Sequence, residues 1–190
     1  AVPIERSAMG MDRKTLWDSK SAGKSVVPTL MGAAIKDGSI KSLDDTAEKY
    51  VPELAGSAYE GVTLRNMLHM SSGVRWNENY LDPASDIVAI IDCVAKKAAG
   101  CILDHMKSLP RAKDGGTGAP VAQGEIWNYS TGEAFLSGLI VQRATGKSLS
   151  KYMQQAIWQP FGMEADGNWW LESTGGVSFG GGGFNATLRE

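Results

Sequence analysis

Ser21 and Lys24 stand three residues apart, where an extended stretch of the chain runs into an apolar segment from Val26 to Lys36. Residues at positions i and i+3 of a helix are neighbours on its surface, so this spacing predicts that the two side chains share a hydrogen bond. A serine hydroxyl attacks carbonyl groups poorly unless a neighbouring base or cation assists it. The N–H groups and the dipole at a helix start also favour developing negative charge. Ser21 is therefore a candidate nucleophile.

The same segment has two other interpretations. A serine and a lysine at this spacing occur by chance in many proteins, so the pair alone does not establish a catalytic motif. The sequence Gly-Lys-Ser at 23–25, repeated at 146–148, is typical of the end of a phosphate-binding loop. Such a loop needs a glycine five residues before its Gly-Lys pair, where this chain has Asp18 and Val141. The sequence therefore argues against a nucleotide site.

Tyr129 supplies a third group that fits the chemistry of Ser21 and Lys24. A nearby ammonium stabilises the ionised form of a phenol, so Lys24 would help Tyr129 to act as a base. The proton would pass from Ser21 to Tyr129 and then to the leaving group. Alternatively, Tyr129 is a core aromatic with a satisfied hydroxyl, and Ser130 or Thr131 only caps the helix that follows.

The hydrophobic pattern between these motifs is mainly helical. The glycine-rich stretch at 175–183 does not suit an ordinary helix and is expected to form a strand or turn close to the pocket. The segment at 113–120 has the composition of a loop that leads towards Tyr129. Helices are predicted at 26–36, 43–50, 63–70, 85–97, 103–109, 132–145 and 149–157.

At several places the chain resembles one family of serine hydrolases, the β-lactamase and penicillin-binding-protein superfamily. Within it, the chain is most similar to the class C-like, family VIII-type esterases and the 6-aminohexanoate-dimer (nylon oligomer) hydrolases. The run Arg-Trp-Asn-Glu-Asn-Tyr-Leu-Asp-Pro at 75–83 is particularly similar to the nylon-oligomer group. The segment from about 87 to 123 carries little that is diagnostic. The resemblance rests on the Ser21 and Tyr129 motifs and on the segments at 31–40, 51–65, 70–83, 159–163 and 180–188.

The resemblance implies roles for particular residues. Ser21 would be the acylated nucleophile, Lys24 its activating partner and Tyr129 the catalytic tyrosine. Tyr80 matches a tyrosine that contacts the substrate in the nylon-oligomer group. Independently of the resemblance, three tryptophans would either line an acyl pocket or belong to the core: Trp76, Trp169 and Trp170.

Two residues depart from the family pattern. The family commonly has an asparagine two residues after the tyrosine, where this chain has Thr131, which keeps a hydroxyl but lacks the paired donor and acceptor of an amide. Thr131 is still expected to contact the substrate. Pro28 lies inside the expected nucleophile helix, where it would remove a backbone hydrogen bond and kink the helix unless the helix starts late.

The fold implied by the resemblance is α+β, of the β-lactamase/transpeptidase type. We expect a helical subdomain at 26–165 that carries Tyr129, and a partial antiparallel sheet region at 1–25 and 166–190. The third family element, a Lys-Thr-Gly or related strand that helps build the oxyanion hole, does not follow Tyr129. The 190 residues are therefore expected to be the central part of a longer enzyme, completed by further segments or by a second chain.

Composition fits a globular enzyme that acts on a small molecule. The net charge is −2 and charged residues make up 21% of the chain, without a basic cluster, so a nucleic-acid partner is not expected. The apolar runs are too short to span a bilayer, so no membrane partner is expected, and the compartment is left open.

Histidines and cysteines give little sign of a metal or cofactor. His69 and His105 have no carboxylate or cysteine at ligand spacing, so neither a metal nor another cofactor is predicted. Cys93 and Cys101 would lie about 12 Å apart on a continuous helix, beyond the reach of a disulfide unless Gly100 breaks that helix. The prediction is two reduced cysteines.

The sequence thus predicts a serine hydrolase that cleaves carboxylic esters or short linear amides through an acyl-enzyme on Ser21. A β-lactamase or a D-Ala-D-Ala peptidase would acylate the same serine and is the alternative within this chemistry. The alternative from a different class is a catalytically silent fragment or binding module with the same fold.

Overall fold

A computed structural model of the chain describes residues 10–189. The predicted sheet residues 1–9 and residue 190 lie outside the described range. Over the described residues the fold is helix-rich with one small sheet, as predicted. The helices are α1 (Val26–Lys36), α2 (Leu64–Leu68), α3 (Asp86–Ala95), α4 (Cys101–Ser108), α5 (Thr131–Thr145) and α6 (Leu149–Met153), and the strands are β1 (Trp17–Asp18), β2 (Asn168–Trp169) and β3 (Phe184–Ala186).

The sheet joins the two ends of the described chain. Its order is β1-β3-β2, and both pairings are antiparallel, with Trp17 opposite Ala186 and Trp169 opposite Phe184. This arrangement confirms the predicted partial antiparallel sheet. All three strands fall within the predicted sheet regions, whereas the division of the chain into two domains stays a prediction.

Helix α5 forms the centre of the helical part. Every residue from Thr131 to Val141 is buried, and the helix contacts α1, α2, α3, α4 and α6. Its N-cap is Ser130, whose hydroxyl accepts a hydrogen bond from the Glu133 amide at 3.1 Å. Because Tyr129 directly precedes this N-cap, the buried helix α5 helps to fix the position of that tyrosine.

The start of α1 explains how the chain accommodates Pro28. A 3₁₀ helix at Lys20–Ser25 comes first, and the α-helix begins only at Val26, so Pro28 lies in its first turn. The N–H groups of a first turn have no partner within the helix, so the missing proline N–H removes no hydrogen bond. Because α1 starts late, Pro28 does not need to kink it.

Other predicted helices differ mainly in length and type. The segment predicted as a helix at 43–50 contains only a 3₁₀ turn at Ala47–Lys49. The helix predicted at 149–157 is divided into α6 and a π-helical turn at Gln154–Trp158. These segments are short, and their contacts with the rest of the fold decide their type.

The prediction of two reduced cysteines is wrong, because Cys93 and Cys101 form a disulfide with a Cα–Cα distance of 5.6 Å. Helix α3 ends at Ala95, and the chain turns through Lys97 and Gly100, which have φ angles of 52° and 78°. This turn brings the start of α4 back towards Cys93. Gly100 therefore breaks the helix, which is the condition that a bridge between these cysteines requires.

Glu133 is a buried carboxyl group on α5, beneath the loop that supports Tyr129. The Ser72 hydroxyl donates a hydrogen bond to its Oε1 atom, and the fully buried Tyr59 hydroxyl interacts with the same carboxyl group. Burial raises the pKa of Glu133 from its ordinary 4.5 to about 8, against the lowering effect of the Ser72 and Tyr59 hydroxyls. At neutral pH the folded protein therefore holds Glu133 largely in its protonated form.

This raised pKa makes the stability of the protein depend on pH. Because the pKa is higher in the folded state than in the unfolded state, the stabilising contribution is fully present below pH 4.5 and is lost as pH rises through about 8. We expect Glu133→Gln, which is neutral at every pH and still accepts from Ser72, to remove this loss. The slope from this single group is at most about 1.4 kcal/mol per pH unit.

Urea unfolding at pH 5, 7 and 9 measures the effect. The wild type is expected to lose stability relative to Glu133→Gln across this range. If the free energy of unfolding changes equally with pH in the wild type and in Glu133→Gln, the expected effect of the raised Glu133 pKa is contradicted.

Candidate active site

Ser21 lies just beyond the sheet, at the start of the 3₁₀ helix. Strand β1 ends at Asp18, and the amide of Ser19 donates to the Phe184 carbonyl at 2.9 Å, which ties this turn to β3. Lys20 then adopts a positive φ of 50°, an uncommon conformation for a residue with a side chain. The next residue, Ser21, is exposed. Its hydroxyl is thus held by a well-anchored backbone but open to solvent.

Lys24 links Ser21 to the glycine-rich stretch. It is 8% exposed, and its ammonium donates to Ser21 Oγ at 2.9 Å and to the carbonyl of Gly181 at 2.6 Å. A buried ammonium needs such partners, because an unpaired charge is costly in the protein interior. The structure therefore shows the contact between serine and lysine that the sequence spacing predicts.

Tyr129 is the third member of the cluster and contacts Lys24 through its ring. The Lys24 Nζ atom lies 5.1 Å from the centroid of the Tyr129 ring, within the range of a cation–π contact. The preceding residue, Asn128, donates its amide to the carbonyl of Met70 at 2.8 Å. Ser21 and Tyr129 are 108 positions apart in sequence, yet both contact Lys24.

The glycine run at 180–183 forms a turn beside the site, in agreement with the expected strand or turn. A Cβ atom at Gly181 would lie 2.6 Å from Thr131 Cγ2 and 2.8 Å from the Thr131 carbonyl, so only glycine fits there without a shift. The amides of Gly180 and Gly182 donate within the turn, to Ser178 and Phe179. The contribution of this turn to the cluster is therefore the carbonyl of Gly181, which accepts from Lys24.

Thr131 and Tyr80 come together on one carboxylate, that of Glu78. Glu78 accepts from the Thr131 amide at 3.0 Å, from the Thr131 hydroxyl at 2.5 Å and from the Tyr80 hydroxyl at 3.0 Å. The indole N–H of Trp76 donates to the same carboxylate at 2.5 Å. The three residues predicted to contact substrate therefore share one anchor.

Tyr80 is the most accessible of these three residues, with 57% of its surface exposed. Its partial burial raises the pKa of Tyr80, and the hydrogen bond to Glu78 and the negative charge of Glu78 raise that pKa further. The phenol is therefore protonated at neutral pH and acts as a donor to Glu78. Its position next to Thr131 and Tyr129 suits contact with a substrate.

The tryptophans differ in their surroundings. Trp76 is buried and packs edge-on against His105, with 6.5 Å between ring centroids. Trp169 is also buried and packs on Phe184. Trp170 is half exposed, and the ammonium of Lys20, next to Ser21, lies 5.9 Å from its ring centroid. Of this group, Trp170 is thus the one placed at an open surface near Ser21.

Sequence reasoning missed two features of this site. Glu78 lies within a run that resembles the nylon-oligomer group, but its role depends on Thr131, which is 53 positions away. Trp127 is 68% exposed and lies 6.3 Å from Tyr129 between ring centroids. The sequence marks Trp127 only by its position two residues before Tyr129.

The larger cavities lie away from Ser21. One of about 490 Å³ is bounded by α6, the π-helical turn and β2, and another of about 250 Å³ is lined by Met70, Trp127 and Glu133. A small cavity of about 30 Å³ lies beside Lys24. Within residues 10–189, no group of three or more histidine, cysteine or acidic side chains is arranged to hold a metal ion. None of the helices in that range is long and apolar enough to cross a membrane.

Comparisons with known proteins identify relatives of this chain. The chain is 30% identical to 6-aminohexanoate-dimer hydrolase of Paenarthrobacter ureafaciens over 90% of its own length and 42% of that protein. A solved structure from Bacillus anthracis, provisionally named a 6-aminohexanoate-dimer hydrolase, matches 98% of the chain and 48% of its own, with a TM-score of 0.80 and 21% identity. A class C β-lactamase in complex with cefoxitin matches 94% of the chain and 49% of its own, with a TM-score of 0.66 and 19% identity.

The two structural matches show the β-lactamase/transpeptidase-like fold. In each comparison the chain spans about half of the length of its relative or less. Residues 4–175 match the family described as Beta-lactamase, which is most of the chain. With its fold, its serine–lysine–tyrosine cluster and this match in agreement, the chain belongs to the β-lactamase family.

Proposed function

We propose that this chain carries the nucleophile and base of a serine hydrolase that cleaves carboxylic esters or short linear amides. The observation that carries the proposal is the placement of Lys24, whose ammonium contacts the Ser21 hydroxyl at 2.9 Å and the face of the Tyr129 ring. A hydroxyl, a cation and a phenol in one cluster form a complete set for nucleophilic attack and proton transfer.

The reaction proceeds through an acyl-enzyme. Ser21 Oγ attacks the substrate carbonyl as its proton passes to the oxygen of Tyr129, which acts as the general base beside Lys24. Tyr129 then gives the proton to the leaving alcohol or amine, and the bond between that group and the carbonyl carbon breaks. Water attacks the Ser21 ester, releases the carboxylic acid and restores the serine hydroxyl.

The substrate class follows from both the relatives and the site. The Paenarthrobacter relative is named as a hydrolase of 6-aminohexanoate dimer, a linear amide. In this chain Ser21, Tyr80 and Trp170 are each exposed, so a substrate can reach them. The proposed substrate is a small ester or linear amide, and the proposed reaction uses no metal or other cofactor.

A β-lactamase or D-Ala-D-Ala peptidase is the second candidate. The structural likeness to a class C β-lactamase with bound cefoxitin favours it, because the same serine would be acylated. The higher identity of the chain to 6-aminohexanoate-dimer hydrolase, 30%, favours the ester or amide hydrolase. A silent module of the same fold would keep the cluster but form no acyl-enzyme.

Covalent labelling distinguishes these functions. We expect a fluorophosphonate probe to label the protein and a fluorescent penicillin not to label it. Labelling by both probes would favour the β-lactamase or peptidase. Labelling by neither would contradict the proposal and leave a silent module.

A further inference from the structure

The hairpin at 168–186 carries the Gly181 carbonyl, which accepts from the lysine of the cluster at 2.6 Å. Both backbone groups of Trp170 hold the opposite arm, because its amide donates to the Gly183 carbonyl at 2.9 Å and its carbonyl accepts from the Phe179 amide at 2.8 Å. The three residues between these two partners form a short turn, with Gly181 in the middle. The position of Gly181 therefore depends on where the arm with Trp170 lies.

Glu172, two residues beyond Trp170, fastens this arm to the start of α4. Its carboxylate is 2% exposed and accepts from the Gly100 amide at 3.1 Å and from the Ile102 amide at 2.8 Å. Amides at a helix start have no partner within the helix, and negative charge is favoured beside them. Glu172 thus ties the hairpin to a helix that lies 70 positions earlier in the sequence.

The Cys93–Cys101 disulfide fixes the position of these two amides. Cys101 lies between Gly100 and Ile102, and its sulfur is bonded to that of Cys93 on α3. The bridge therefore holds to α3 the same backbone that Glu172 binds. Breaking the bridge releases the turn between α3 and α4, so the two amides lose their fixed position relative to Glu172.

We propose that Glu172 is a positioning residue that sets the Gly181 carbonyl against Lys24, and that the disulfide between α3 and α4 is required for this role. Reduction of the disulfide should therefore slow hydrolysis at Ser21. In the reduction, a dithiol is oxidised to its own disulfide and supplies the two electrons and two protons that convert the bridge to two thiols. The inference rests on the proposed function, because it concerns the rate of that same reaction.

Gly180 limits the size of the expected effect. A Cβ atom at Gly180 would lie 2.8 Å from the Ala134 carbonyl, so this residue packs directly on α5 and keeps the hairpin in place. The loss of the Glu172 contacts should therefore shift the Gly181 carbonyl without detaching the hairpin. We expect kcat to fall by about tenfold, the value of one hydrogen bond, with KM nearly unchanged.

The test compares oxidised and reduced protein, with p-nitrophenyl acetate as substrate. Glu172→Gln keeps one acceptor oxygen but turns an NH₂ group towards the second amide, so the pair of bonds is lost. Glu53→Gln is the matched control, at a surface ion pair with Arg143. Dithiothreitol reduces the bridge and is removed without air before the assay, and fluorophosphonate titration counts the active molecules. The double variant Cys93→Ser, Cys101→Ser has no thiol that could react with the ester.

Reduction should lower kcat per active molecule by about tenfold in the wild type and in the control, and the double serine variant should match the reduced wild type. In Glu172→Gln, kcat should already be low, and reduction should lower it by less than about twofold, because both changes act through one contact. Hydrogen exchange gives a readout that does not depend on the rate. The amides at 179–183 should exchange faster after reduction of the wild type, but reduction should not accelerate them further in Glu172→Gln.

Unchanged kcat and unchanged exchange at 179–183 after reduction of the wild type would overturn the inference. An equal fall of kcat in the wild type and in Glu172→Gln would also overturn it. If Glu172→Gln does not fold, the rate and the exchange of the reduced wild type decide the matter alone. An oxidised wild type that resists fluorophosphonate and hydrolyses no ester would instead overturn the proposed function, and the inference with it.

Discussion

Replacing Ser21 by alanine is expected to lower ester hydrolysis by at least about 10³-fold, because no other group of the cluster can form the acyl-enzyme. The side chain is exposed, and within residues 10–189 its hydroxyl accepts only the bond from Lys24. Lys24 keeps its bond to the Gly181 carbonyl in the variant. The loss of stability should therefore be only about 1 kcal/mol.

The rate is measured as p-nitrophenyl acetate hydrolysis, with thermal unfolding of the same samples. Ser25→Ala is the matched control, since its hydroxyl lies four residues along the same 3₁₀ helix and donates to the Ala22 carbonyl. This control should keep its activity. A Ser21→Ala protein as active as the wild type would exclude Ser21 as the nucleophile.

Tyr129→Phe is expected to reduce kcat by about 10²–10⁴-fold with little change in KM, the usual effect of losing a positioned acid–base group. Phenylalanine keeps the ring that lies over Lys24, so the packing of the ammonium is preserved. Only the phenolic oxygen, which exchanges the proton, is removed.

Steady-state kinetics on the same ester separate the two parameters. Tyr50→Phe is the control, because it removes a phenol whose hydrogen bond goes to Asp45 and not to the cluster. It should leave kcat unchanged. A rise in KM alone in Tyr129→Phe would make Tyr129 a binding residue and leave Lys24 as the base.

The part of the site that depends on local spacing could be predicted from sequence. Ser21 and Lys24 are one helical turn apart, so their contact follows from helix geometry. Helix α1 has the predicted bounds at Val26–Lys36 because its apolar pattern is clear and Asp37-Gly38 ends it. The position of Tyr129 before a helix cap is likewise a local feature.

The parts that depend on distant contacts could not be predicted in this way. The disulfide required a turn at Lys97 and Gly100 that brings two helices together, and helix periodicity carries no information about that turn. The role of Glu78 as a shared acceptor could not be predicted from its own polar run. Two of its donors, Trp76 and Tyr80, are near in sequence, but the third, Thr131, is 53 positions away. Gly181 gained its role only once the glycine-rich turn was placed beside Lys24.

Identification of the acylated residue tests the central claim most directly. The protein is treated with a fluorophosphonate, digested and mapped by mass spectrometry. We expect one adduct, on the peptide that contains Ser21, with fragment ions that assign it to Ser21. An adduct on Ser19 or Ser25, or continued hydrolysis in a protein that carries no adduct, would contradict the account.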